Sequence, residues 1–232
     1  MRFSWFSAPL INTQGDWDKI QNIWDRWQGL NVGMLAFISS LVALNISTYN
    51  ADQQRKREFT AARAFLPQAL SELHDYCEEC MQVLHEFWDA RDANNECNQS
   101  IDHALPKLPQ NYREVFEKCI RYAAPEVGDW LARILSKLQV HEARLKSLYS
   151  EAPNESAIIN ADNINAYLYG ILKIQILINR TFKFARNEGP LDKSPQRLDE
   201  YENALRIAGL YLNQFDRLND FIATAIERGK TI

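Results

Sequence analysis

The sequence predicts an all-α protein: an N-terminal interfacial helix and a single transmembrane helix, followed by an antiparallel helical bundle of four to five helices. Three observations carry that expectation. Apolar residues recur at three- and four-residue spacings along most of the chain, the period of one helix face. Only eight Gly and eight Pro among 232 residues leave little room for the turns of an all-β fold. A stretch near the start, 27–51, has no charged residue, although the chain as a whole is 24% charged.

Composition sets the outer bounds. A chain 46% hydrophobic has enough apolar side chains for a core. Its net charge of -4 and pI near 5.6 give no basic surface that would select nucleic acid as a partner. The four cysteines, Cys77, Cys80, Cys97 and Cys119, read as free thiols in a reducing compartment, because a chain of this length forms a core without disulfide staples.

Residues 1–28 form the N-terminal segment. "DWDKIQNIWDRW" (16–27) places Trp17, Ile20, Trp24 and Trp27 on one helical face, as in an amphipathic helix lying at a membrane interface. A continuous extension of the following helix is the alternative. The transmembrane helix is placed at 29–49. Its apolar centre, 30–46, is 17 residues long, or roughly 26 Å at 1.5 Å per residue, against a hydrocarbon core of about 30 Å. Trp17, Trp24 and Trp27 before it and Tyr49 after it suit interfacial anchors, and "QQRKR" supplies Arg55, Lys56 and Arg57 as a basic stop. The segment begins too far into the chain, and without a basic leader, to be a cleaved signal peptide. The competing expectation is a soluble helical interaction protein that buries 29–47 inside itself.

Lys19 and Arg26 precede the span, whereas Arg55, Lys56, Arg57 and Arg63 follow it. That bias places the span in the cell (inner) membrane with 50–232 cytoplasmic. The same basic residues would bind anionic lipid at roughly 1 kcal/mol each. Within the span, Gly29, Gly33, Ala36, Ser40, Ala43 and Ser47 repeat at spacings of 4, 3, 4, 3 and 4 and include a G-x-x-x-G. Small residues on one face let two backbones approach closely in lipid, where no hydrophobic drive brings helices together. The expected partners are therefore membrane lipid, further copies of the chain, and a protein that meets the cytoplasmic part.

The remaining elements follow in order. A helix over about 52–93 has Phe59, Ala62, Leu66, Leu70, Leu73, Cys77, Cys80, Leu84 and Phe87 on its core face, with Pro67 expected to kink or split it. A polar loop over 92–109 leads to helices over about 109–124 and 125–150, each opened by a proline. The helix over about 155–188 contains "AYLYGILKIQILI" (166–178), where Lys173 and Gln175 argue for a buried bundle helix over a second span. The last helix begins with Ser194 as N-cap and Pro195 in its first turn. It carries a seam of Leu198, Tyr201, Leu205, Ala208, Leu212, Phe215, Asn219, Ile222 and Ile226, with Asn219 either setting register or lying at a wet edge.

No sequence motif for catalysis emerges. There is no G-x-S-x-G, H-E-x-x-H, G-x-x-x-x-G-K-[ST] or G-x-G-x-x-G. None of the four histidines follows an arginine at the spacing used by all-helical HEPN ribonucleases. "HDYCEECMQVLH" (74–85) groups His74, Cys77, Cys80 and His85, but both cysteines lie on a helix, where a zinc pair normally occupies a turn. Cysteines packed as small core residues are the better expectation, with no metal and no cofactor. "RTFKFAR" (180–186) interleaves Arg180, Lys183 and Arg186 with Phe182 and Phe184. An acidic partner or lipid headgroups would suit it, although a helix C-terminus favours basic residues anyway.

The expected role is that of a non-enzymatic sensor, scaffold or effector at the membrane. The plan resembles small bacterial membrane effectors and exclusion proteins in architecture alone and assigns no family. The alternative is an enzyme with a site assembled around His74, Cys77 and His85.

Overall fold

A computed structural model describes residues 17–91, 103–151 and 160–230. All regular structure in these residues is helical: α1 (Trp17–Asp89), α2 (Tyr112–Tyr122), α3 (Pro125–Glu151), α4 (Ala161–Ala185), α5 (Leu198–Ile207), a 3-10 turn (Leu212–Gln214) and α6 (Leu218–Lys230). The chain divides into two compact units, Met1–Gln54 and Arg55–Ile232. Residues 1–16, the polar loop around Cys97 and the start of the expected 155–188 helix lie outside the described residues.

In the first unit, α1 runs without interruption through the expected interfacial helix and span, so the two are one helix. None of its most apolar window is buried, and it is long and apolar enough to cross a membrane, by length and composition. One helix among the described residues meets that description.

The second unit holds the core. On the later part of α1, Ala62, Leu66, Leu70, Leu73, Cys77, Cys80, Leu84 and Phe87 are buried at helical spacing, with Phe59 partly buried beside them. Pro67 lies inside this helix without ending it. Tyr112, Phe116 and Cys119 give α2 its buried face. That helix stops just before Ala124–Pro125, because proline disfavours the helical conformation of the residue it follows. Pro125 opens α3, where its missing N–H costs no helical bond. The two helices pack closely: a Cβ on Gly128 would meet the Ile120 carbonyl oxygen at 3.5 Å.

α4 is the central helix of this unit and packs against α3, α5 and α6. The Asn160 side chain caps it, accepting the Asn163 N–H at 2.9 Å. Ile171, Leu172 and Ile174–Ile178 are all buried, with Gln175 among them. Most of the apolar run 166–178 is thus buried within this unit, while Tyr167, Tyr169 and Lys173 remain half-buried at its edge.

The C-terminal region differs from the continuous helix expected of it. Ser194 and Pro195 precede α5: their carbonyls accept from the Arg180 guanidinium, and the Ser194 N–H donates to Asp192 Oδ1 at 2.9 Å. The helix starts three residues later, with the Arg197 N–H donating to Glu200 at 2.9 Å. It ends at Ile207, and two left-handed residues, Gly209 (φ 74°) and Arg217 (φ 64°), flank the 3-10 turn before α6 begins. Glycine adopts that conformation at no steric cost, so Gly209 is the natural breaking point.

Candidate functional site

Two features stand out, one in each unit. The first is the uncharged part of α1. Gly29, Gly33, Ala36, Ser40, Ala43 and Ser47 are all exposed, and a Cβ on either glycine would meet no atom of the described residues within 4 Å. Ser40 Oγ donates to the Ala36 carbonyl at 2.8 Å, and Thr48 Oγ1 to that of Leu44 at 2.9 Å, so these hydroxyls are satisfied within the helix. Trp17, Trp24, Tyr49, Arg55, Lys56 and Arg57 are exposed, and Trp27 is half-buried.

The second is a cavity of about 560 Å³ in the helical unit. α3 contributes Trp130, Arg133 and Lys137; α4 contributes Tyr169, Lys173, Leu177 and Arg180. The 193–196 segment, Tyr201 and α6 complete the walls. Among the described residues the lining has five basic residues and no acidic one. Two of the five are neutralised from outside the cavity: Arg180 by Glu200, and Lys193 by Glu126. Among the described residues Arg133 and Lys137 form no salt bridge, and Lys173 Nζ donates only to the Tyr169 hydroxyl, at 3.3 Å. Burial, reinforced by Lys173 and Arg133, holds the Lys137 ammonium below the usual lysine range.

The aromatic wall is well fixed. Tyr169 stacks on Tyr201, with centroids 5.7 Å apart and planes within 8°. The Tyr201 hydroxyl donates to Gln196 Oε1 at 2.8 Å. Trp130 Nε1 donates to Thr181 Oγ1 at 2.9 Å, tying α3 to α4. A neighbouring cavity of about 370 Å³ shares Lys137, Tyr169 and Lys173 and adds Arg144 and His141, again with no carboxylate. His141 is buried, and among the described residues neither ring nitrogen makes a hydrogen bond of full geometry. Burial pushes its pKa down to about 4, with Arg144 acting in the same direction and the Tyr167 backbone opposing.

The His74, Cys77 and His85 positions are not brought to one point. His74 Nδ1 lies 3.1 Å from Glu78, and His85 Nδ1 lies 3.3 Å from Asp89, each pair on one turn of α1. Cys77 is fully buried, and burial raises its thiol pKa well above the ordinary value. Cys80 is pushed up to about 12 and Cys119 to about 11 for the same reason, the opposite of an activated nucleophile. Among the described residues no group of three or more His, Cys, Asp and Glu is placed to hold a metal.

Of the seam residues, Tyr201, Leu205, Ala208, Phe215 and Ile222 are buried, Leu198, Leu212 and Ile226 are half-buried, and Asn219 is exposed. "RTFKFAR" separates by role. Arg180 is engaged with Glu200, Phe184 meets Phe59 at 6.2 Å, and Arg186 lies 5.2 Å from the Phe182 ring.

The basic cavity was not foreseen from sequence. Its one local signal is Lys173, the single charge in the apolar run 166–178. Compared with known proteins, the chain matches no family model, no curated protein and no solved structure.

Proposed function

We propose that the protein is a single-span membrane protein in which 29–49 crosses the bilayer and the helices after residue 55 form a cytoplasmic domain. It acts there without catalysis, as a sensor, scaffold or effector, and self-associates through the small-residue face of the span. The observation that carries this reading is the exposure of the apolar window. Leu30, Val32, Leu35, Phe37, Leu41 and Leu44 each keep 44% to 65% of their surface. Each large apolar side chain gains about 1.5–3 kcal/mol on leaving water. An uncovered run of this length therefore calls for lipid, and a helix satisfies its own backbone hydrogen bonds there. The excess of Lys and Arg after the span supports the cytoplasmic side for the C-terminal unit.

The test is alkaline carbonate extraction of membranes from cells producing the full-length protein. Retention in the pellet until detergent is added supports the span. Release by carbonate alone would overturn it and assign the apolar face to a protein partner.

A further inference from the structure

The lining of the larger cavity departs from the rest of the molecule. The chain has 30 acidic and 26 basic residues, so five basic residues without one acid is not an average sample of its surface. Arg133 and Lys137 lie one helical turn apart on α3, and Lys173 approaches from α4. Like charges converging at a half-enclosed surface repel one another and lose hydration, which is unfavourable unless a counter-charge enters. No carboxylate of the described residues forms a salt bridge with any of the three. Lys173 donates to the Tyr169 oxygen, which leaves the tyrosine O–H to donate elsewhere. The adjoining cavity extends the same chemistry, with Arg144 and the buried His141 ring on its wall.

We propose that this cavity binds the phosphate group of an organic ligand through Arg133, Lys137 and Lys173, with the body of the ligand against Trp130 and Tyr169. Lysines act on phosphate as point charges and arginine as a planar fork, so the set suits a group with more than one negative oxygen. A volume of about 560 Å³ is that of a small-molecule pocket. The phosphate arrives either on a soluble molecule of nucleotide size or on an anionic lipid headgroup. The site does not depend on where the chain resides, so it stands apart from the membrane reading.

The experiment is thermal unfolding of the full-length protein in uncharged detergent, titrated with sodium pyrophosphate, magnesium-free ATP, or phosphatidylglycerol in mixed micelles. Sodium chloride at matched ionic strength is the control. A ligand at a hundred times its Kd should raise Tm by about 5 °C or more. Lys137→Gln with Lys173→Gln should abolish that rise. Without ligand the double variant should unfold at least as high as the wild type, because the like-charge repulsion is relieved. Arg133→Gln, at an exposed position, should weaken the response on its own. A response to pyrophosphate or ATP identifies a soluble ligand; a response to phosphatidylglycerol alone identifies a headgroup. No rise beyond the chloride control, or an equal rise in the double variant, overturns the proposal.

Discussion

Arg180 holds Glu200 through two parallel hydrogen bonds, Nε to Oε1 at 2.8 Å and Nη2 to Oε2 at 2.6 Å, with the arginine side chain only 6% exposed. The same guanidinium reaches the carbonyls of Ser194 and Pro195, so one side chain fixes the segment that leads into α5. Burial alone would raise the Glu200 carboxyl. The hydrogen bonds from Arg180 and from the Arg197 N–H outweigh it and leave the carboxyl below its ordinary range. Arg180→Met should therefore cost about 1–3 kcal/mol, because half-buried Glu200 is left without its partner. Adding Glu200→Gln should recover part of that loss. A double-mutant cycle on denaturant midpoints measures the coupling; additive losses would show that the pair contributes little.

The contact between Trp130 and Thr181 predicts a smaller, sharper effect. Thr181 Oγ1 accepts the indole N–H and itself donates to the Leu177 carbonyl at 2.7 Å. Thr181→Val keeps the shape and leaves a buried indole N–H unpaired, at about 1–3 kcal/mol. Thr181→Ser keeps the hydroxyl and should retain most of the stability. Equal losses in the two variants would assign the effect to packing.

How far the sequence reaches depends on whether a feature is local. The core face of α1 from Ala62 to Phe87 was legible because helical periodicity is a local property, and the burial of most of 168–178 agrees with the reading from Lys173 and Gln175. The C-terminal region misled because its three- and four-residue spacing continues through a break. Tyr201, Leu205, Phe215 and Ile222 remain buried across it, while Leu210 and Leu218 take core positions outside the seam. Two left-handed residues reset the phase, and only Gly209 among them announces itself in sequence. The cavity was illegible for another reason. Its charges come from α3, α4 and the 193–196 segment, and only the tertiary fold brings them together.

His141 predicts a pH dependence of stability. Its folded pKa, about 4, lies below the ordinary value of 6.5. Between those values the unfolded chain takes up a proton that the folded protein does not. Acidification through this window therefore favours unfolding, and below about pH 4 the effect is complete. At about 1.4 kcal/mol per pH unit the full window is worth on the order of 3 kcal/mol. Arg144, Lys137 and Lys173 line the same cavity, and no carboxylate of the described residues is among its walls. Thermal melts of His141→Gln and wild type between pH 7 and pH 4 check this. The wild type should lose more stability on acidification; parallel curves would show that the imidazole titrates normally.

The face carrying Gly33 and Ser40 predicts self-association. Neither glycine of "GLNVG" has a neighbour that a Cβ would touch, and the Ser40 hydroxyl is already bonded to its own helix. What that face offers a second helix is close backbone approach, which leucine side chains would block. Gly33→Leu with Ser40→Leu adds apolar surface, so it should leave membrane insertion intact. It should nevertheless reduce the oligomer mass measured by light scattering in detergent. A control with Leu35→Ala and Val42→Ala, on the remaining helix surface, should leave that mass unchanged. If the leucine variants keep the wild-type mass, the copies do not meet on this face and the stripe is only a consequence of composition.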